Sequence, residues 1–148
     1  MNTIDKPYLA IPGTTLFDMD QSRAGYHLNQ FCMSLMKNAN RKRFLANPRG
    51  YVDEWPMTED QKLAVLDADL NRCIALGGNI YFLAKLGATH GKSFQQMAGS
   101  MTGKSEFEYR DMMVAGGRRI EGNRRIGEDG DAQAQHQPQG TGTGKLLA

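Results

Sequence analysis

Apolar side chains recur at intervals of three and four residues along the middle of the chain, which predicts helices. A capping box at Thr58 and Gln61 predicts the start of one helix, and Gly77 with Gly78 predicts its end. Between these signals one stripe is apolar: Leu63, Leu66, Leu70, Cys73 and Ile74. This stripe is the side of the helix that we expect to face a core.

Three more segments show helical signals. Residues 21–38 contain no proline and are rich in large apolar side chains, as in a mostly buried helix. Residues 80–86, capped by Asn79, are apolar nearly all round, which makes them the best candidate for a central helix. A second capping box, at residues 105–108, predicts a helix that ends at the glycines 116 and 117.

The segments between these helices are predicted to be short connections. Residues 40–45 indicate a basic turn, and residues 87–93 a loop that precedes a turn of helix around residues 94–98. No segment alternates between apolar and polar residues as a strand would. The chain is therefore predicted to be all-α, with a small irregular multi-helix domain.

The two ends of the chain have a different composition from the middle. Residues 1–20 carry two prolines and predict an extended N-terminal arm. Residues 118–148 are basic at first and then rich in Gly, Gln and Thr, with too few apolar side chains to offset the entropy of ordering. We expect a helical domain over residues 21–117, followed by a largely disordered tail.

The charge balance and the cysteines narrow the class of protein. Lys plus Arg number 18 against 16 Asp plus Glu in 148 residues, so a net charge of +2 does not favour nucleic-acid binding. No apolar run approaches the roughly 20 residues needed to span a bilayer. Cys32 and Cys73 lie among apolar residues without metal-ligand spacing, which indicates buried, reduced thiols in a cytoplasmic protein.

No catalytic constellation can be assembled from this chain alone. His27, His90 and His136 lack a second ligand at the spacings of local metal sites. The Gly-Lys-Ser at residues 103–105 is not a P-loop, because Ala98 stands where that motif needs its first glycine. We therefore expect no catalytic residue and no metal ligand on this chain.

Nine methionines are a further feature of the composition. Several lie close to aromatic residues between positions 94 and 113, including Met97 and Met101 near Phe94. Flexible thioethers suit an adaptable contact surface, although ordinary core packing would use the same side chains. A helical domain with a long arm and no self-sufficient active site fits an accessory subunit.

Several long motifs, in one order, resemble the α subunits of protocatechuate 4,5-dioxygenases, which belong to the extradiol ring-cleavage dioxygenases. The resemblance covers roughly residues 7–125 and rests mainly on PGT at 12–14, GYHLNQFCMSLMK at 25–37, DEW at 53–55, GGNIYFLAKL at 77–86 and GKSFQQMAGSMTG at 91–103. Tyr109, Met112, Met113 and residues 116–118 continue it.

The resemblance implies a partner and a division of labour. Such α subunits are all-helical and pair with a larger β subunit in an α2β2-type assembly. The β subunit carries Fe(II), held by two histidines and a carboxylate, together with the general base. The pair would cleave protocatechuate with O2 to 4-carboxy-2-hydroxymuconate semialdehyde.

The resemblance also assigns roles to residues of this chain. In the family, the Gly-Lys-Ser-Phe segment lies over the active site as a lid, and its phenylalanine lines the substrate pocket. The lid residues are then Gly91, Lys92, Ser93 and Phe94. Possible contacts to the partner are Tyr81, Met97 and Met101.

Two alternatives stay open from the sequence. The same architecture could serve gallate or another catechol-type acid, because most of the pocket would belong to the β subunit. A non-catalytic helical adaptor without a dioxygenase partner is the competing class. His90 also departs from the family, where an aspartate tends to precede the Gly-Lys-Ser-Phe segment. A surface histidine without a role is the favoured interpretation, and a changed charge and pH response of the lid is the alternative.

Overall fold

The computed structural model describes residues 5–11 and 14–117. Within these ranges the chain is helical and has no strand, which confirms the predicted all-α fold. The described helices are a 3-10 helix at Pro7–Ala10, α1 (Met19–Ala24), α2 (Tyr26–Ser34), α3 (Asn38–Ala46), α4 (Pro48–Asp53), α5 (Glu59–Leu66), α6 (Leu70–Ala75), α7 (Ile80–Thr89), α8 (Phe94–Thr102) and α9 (Glu106–Val114). None of these helices is long and apolar enough to cross a membrane. The predicted disorder of residues 118–148 lies outside the described residues.

The start of the chain contains more helix than an extended arm would have. Pro7 opens the 3-10 helix, a position that suits its fixed φ and missing N–H. Asp18 caps α1 by accepting a hydrogen bond from the backbone N–H of Gln21 at 2.9 Å. The compact unit of the fold begins at Thr15, and α1 begins two residues before the predicted helix.

The predicted helix starts were more accurate than the predicted helix lengths. The capping boxes at Thr58 and Ser105 and the cap at Asn79 are present, so those predictions are confirmed. The predicted helix over residues 21–38 is instead divided at Gly25 into α1 and α2. The apolar stripe after Thr58 is likewise divided, because Ala68 has a positive φ of 51° and Asp69 caps a new helix, α6.

Two helices occupy segments predicted as connections. Residues 40–45 lie within α3 rather than in a turn, and the Arg41 guanidinium donates to the carbonyls of Leu35 and Met36 at 2.8 and 2.9 Å. Pro48 begins α4, which Asn47 caps through Gly50. Helix α7 also continues to Thr89, so the predicted loop begins three residues later than expected.

The buried core is organised around α2. Leu28, Phe31 and Cys32 are fully buried, and Leu35 directly after the helix is nearly so. Helix α7 packs beside α2 and contributes Leu83 and Leu86. The remaining buried hydrophobic residues come from the segments between α3 and α8: Phe44, Tyr51, Val52, Met57, Ala64, Val65, Leu70, Cys73 and Met97.

Helices α7 and α9 both depart from a fully buried arrangement. Helix α7 was predicted to be central on all sides, yet Ile80 and Tyr81 are 42% and 79% exposed. Some apolar residues of α7 therefore lie on its buried face and others on its exposed face. Helix α9 places no residue in the core and packs chiefly on α8.

A close backbone contact joins the α1–α2 junction to the α6–α7 connection. A Cβ atom added to Gly25 would lie 1.7 Å from the carbonyl oxygen of Gly77, so only glycine fits at this crossing. The buried side chain of Asn29 spans the same place, donating to the Gly77 carbonyl at 3.1 Å and accepting from the Asn79 N–H at 2.9 Å. Gln61, also buried, donates to two further carbonyls there, those of Ala24 and Leu76.

His90 ends α7 and lies against the core. Its ring packs edge-on to Phe44, with 5.7 Å between ring centroids. The pKa of His90 is lowered below its ordinary value, mainly because the ring is partly buried and secondly because Lys92 carries a positive charge nearby. The folded chain therefore binds a proton at His90 less readily than the unfolded chain does.

We predict that Gly25→Ala destabilises the fold by about 3 kcal/mol or more, because the added methyl group meets backbone atoms that cannot move aside. Urea unfolding followed by circular dichroism measures the change. Ala24→Ser, at the exposed neighbouring position, is the control and should cost less than about 1 kcal/mol. Similar unfolding midpoints for the two variants would contradict a tight crossing.

The pKa of His90 predicts a pH dependence of stability. Because the folded-state pKa is lowered, the free energy of unfolding should be constant above pH ~6.5 and fall as the pH drops from there through the folded pKa. Urea unfolding of the wild type and His90→Asn across this range tests it. The carboxyl groups of Asp53, Glu59 and Glu108 also have lowered pKa values, but they change the free energy of unfolding only at more acidic pH. A slope near pH 6 that is unchanged by His90→Asn would rule out His90 as its source.

Candidate functional site

The segment that joins α7 to α8 is a tight turn at the surface. Gly91 has a positive φ of 71°, a left-handed conformation that favours glycine, and there is open space around its Cα. The N–H groups of Gly91 and Lys92 donate back to the carbonyls of Ala88 and Gly87, at 2.9 and 3.0 Å. These two hydrogen bonds tie the turn to the last residues of α7. The Lys92 side chain is exposed.

Ser93 caps α8 and also connects it to α9. Its hydroxyl accepts from the backbone N–H of Gln96 at 3.1 Å, and the Gln96 side chain accepts from the Ser93 N–H at 2.9 Å. The same hydroxyl lies 3.0 Å from the Glu106 carboxylate, to which it can donate its single proton. The first turn of α8 is therefore fixed by its own capping box and by a neighbouring helix.

Phe94, the first residue of α8, presents an aromatic ring to the outside. It is 64% exposed in this chain. Its one described ring neighbour is Tyr109 on α9, with centroids 6.5 Å apart and the rings inclined at 69°. A large apolar side chain held in this way on a capped helix is suited to contact another molecule.

The three residues predicted to contact a partner differ in accessibility. Tyr81 is 79% exposed and available for contact. Met97 is only 8% exposed and lies in the core, where its Sδ fills the space in front of Gly87. Met101 is partly buried and packs against the same core. The thioether of Met97 is thus used for internal packing, and a contact between Met97 and a partner stays a prediction.

Two residues beside Ser93 and Phe94 were not among the predicted site residues. Glu106 and Tyr109 reach Ser93 and Phe94 from α9, although they lie 13 and 15 residues away in sequence. The capping box at Ser105 placed Glu106 in the first turn of a helix, but it could not indicate which neighbour that turn would touch. Further exposed apolar residues on α9 are Phe107, Met113 and Val114.

The described residues offer little chemistry of their own. No group of three or more His, Cys, Asp or Glu in residues 5–11 and 14–117 is placed to hold a metal ion. Both cysteines are free and buried, and burial raises the pKa of Cys73 to about 12 and that of Cys32 further above its usual range. Such thiols are poor nucleophiles at neutral pH.

Comparison with known proteins relates this site to ring-opening enzymes. Residues 28–114 match the model of a family described as the LigA subunit of the aromatic-ring-opening dioxygenase LigAB. A gallate dioxygenase from Pseudomonas putida is 30% identical over 95 residues, which are 64% of this chain but 28% of that protein. The chain thus spans less than a third of the length of this relative. The family match covers more than half of the chain, including α7, the turn at residues 90–93 and α8, and the chain belongs to the LigA family of aromatic-ring-opening dioxygenase subunits.

Proposed function

We propose that this chain is the accessory subunit of an extradiol dioxygenase and forms a lid over an iron site carried by a β-type partner. The single observation that supports this best is Phe94, an exposed aromatic ring on a doubly held helix start within the family match. Covering an exposed ring of this kind with another surface is favourable, because it removes apolar area from water. The lid turn and Phe94 are the parts of the chain that would face substrate.

The proposed role of the lid is to shape the pocket and exclude water. Phe94 would contact the aromatic substrate beyond its hydroxylated edge, and closure would remove water from the reacting region. The exposed ammonium group of Lys92 is suited to a substrate carboxylate, while Gly91 and Ser93 set the path of the turn. Tyr81, and at its exposed edge Met101, would contribute to the partner interface.

Iron would belong to the partner in this arrangement. Bound Fe(II) would supply the Lewis-acid and dioxygen chemistry of ring cleavage. The described part of this chain has no ligand set that fits such an ion, so its residues would act by binding, orienting and shielding the substrate. An α2β2-type assembly in the cytoplasm is the form that we propose.

The relative also bears on the proposed partner. The 95 aligned residues make up 28% of the gallate dioxygenase, so most of that protein lies outside the match. The matched family is described as the LigA subunit of LigAB, which supports a β-type partner polypeptide for this chain. For this reason we favour an enzyme subunit over a helical adaptor without a dioxygenase partner.

Protocatechuate is the substrate that we propose first, with 4-carboxy-2-hydroxymuconate semialdehyde as the product. The gallate dioxygenase favours gallate as a specific alternative. Both compounds carry a carboxylate and adjacent ring hydroxyls, and gallate has one hydroxyl more. The lid would meet the same kind of ring in either case.

We predict that oxygen uptake with Fe(II) and protocatechuate is confined to, or at least tenfold higher in, a complex of this chain with its β-type partner. The reason is that each chain alone would hold only part of the site. Uptake is measured for this chain, the partner and the co-expressed pair, with gallate as second substrate. A partner equally active without this chain on both compounds would favour the adaptor interpretation.

We further predict that Phe94→Ala leaves the complex assembled but lowers kcat/KM by roughly 10- to 150-fold, because a covered phenyl ring contributes on the order of 1.5–3 kcal/mol. Steady-state kinetics and size-exclusion chromatography measure the two effects. Phe107→Ala is the matched control, since Phe107 is equally exposed but its ring lies beneath Arg110. Wild-type constants in the Phe94→Ala complex would remove Phe94 from the pocket.

A further inference from the structure

Helix α9 contacts the start of α8 with two side chains from one of its faces. Glu106 and Tyr109 are three residues apart, a spacing that puts them side by side on a helix. Glu106 meets Ser93, and Tyr109 meets Phe94. Helix α9 adds nothing to the buried core, and these two contacts are among those that place it against α8.

The contact between Ser93 and Glu106 uses the part of the hydroxyl that helix capping leaves free. Capping requires the Ser93 oxygen as an acceptor for the Gln96 N–H, whereas Glu106 takes the hydroxyl proton. Both bonds can therefore exist together, and the partly buried carboxylate fixes the direction of the O–H group. Phe94 follows Ser93 directly, so its backbone is held at the same point.

The contact between Phe94 and Tyr109 restricts the ring itself. An edge-on arrangement with centroids 6.5 Å apart lies within the favourable range for aromatic pairs. Without Tyr109 the largely exposed Phe94 ring would have no described aromatic neighbour and could take up other rotamers. Tyr109 thus limits the positions from which Phe94 can meet a substrate.

Beyond its first turn, α8 is held by other contacts. Met97 fills the space before Gly87 in the middle of the helix, and Asn71 donates to the Met101 carbonyl at 3.0 Å near its end. The turn before α8 contains Gly91, whose surroundings are open. The start of α8 therefore relies on α9 for its lateral support.

From this geometry we infer that Glu106 and Tyr109 are positioning residues for Phe94 and thereby help set the substrate preference of the ring-opening complex. This inference rests on the proposed function, in which Phe94 lines the pocket. Glu106 acts through the Ser93 hydroxyl and Tyr109 acts through the ring. Neither residue needs to touch the substrate.

The experiment compares Glu106→Ala, Glu106→Gln, Tyr109→Leu and Tyr109→Phe in the assembled complex. Glu106→Ala and Tyr109→Leu should each change the ratio of kcat/KM for gallate to that for protocatechuate by about three- to tenfold, as expected for one hydrogen bond or one ring pair. Glu106→Gln keeps an acceptor and Tyr109→Phe keeps the ring. These two variants should stay within about twofold of the wild-type ratio.

Two controls separate positioning from general damage to α9. Glu108→Ala breaks the capping box of α9 at Ser105 but leaves Glu106 in place. Phe107→Leu removes a ring of the same helix that lies beneath Arg110. Both controls are expected to lower thermal stability without changing the substrate ratio, since a purely structural defect should affect both substrates alike.

Double variants with Phe94→Ala test whether the effect passes through Phe94. In that background Glu106→Ala and Tyr109→Leu should no longer change the ratio. A persistent change would overturn the inference, and so would equal effects of Glu106→Ala and Glu108→Ala. If Glu106→Ala does not assemble, the two Tyr109 variants decide. A Phe94→Ala complex with wild-type kinetics would contradict the proposed function itself, whereas altered kinetics there with no effect from α9 would contradict only the inference.

Discussion

The fold depends on the contact between Gly25 and Gly77, where two chain segments approach more closely than any side chain would allow. Main-chain polar groups buried at such a crossing need partners, and Asn29 and Gln61 supply them from within the core. Gln61 does so while its side-chain oxygen completes the capping box of α5. The amide side chain of Gln61 thus connects the start of α5 to the crossing between the α1–α2 junction and the α6–α7 connection.

The position of Phe94 follows from this crossing through a short series of contacts. The crossing sets α2 beside α7, and the turn that leads to α8 begins at the end of α7. Helix α8 then lies on α7 through Met97, and α9 supports its first turn. An exposed ring is therefore held at a defined place although the turn before it is open to solvent. A continuous series of contacts thus connects the buried core to Phe94, the proposed substrate contact.

Local signals in the sequence predicted helix starts well, since a capping box at Thr58 or Ser105 is complete within four residues. The interruption at Gly25 depends on the distant Gly77, which the sequence does not place beside it. The interruption at Ala68 is local, but the apolar spacing continues across it and so predicted one helix there. The candidate site shows the same limit. The resemblance indicated the lid segment, but composition alone could not distinguish the buried Met97 from an exposed contact residue.

The fit of Met97 against Gly87 constrains how this subunit can diverge. A side chain at position 87 would occupy the space that the thioether now fills, so a larger residue there requires a smaller one at position 97. Exchanging bulk between these two positions would raise or lower α8 on α7 while leaving the aromatic residue at its start untouched. A compensating pair of changes at positions 87 and 97 would in this way shift the whole of α8 without altering any residue of the exposed segment 91–94.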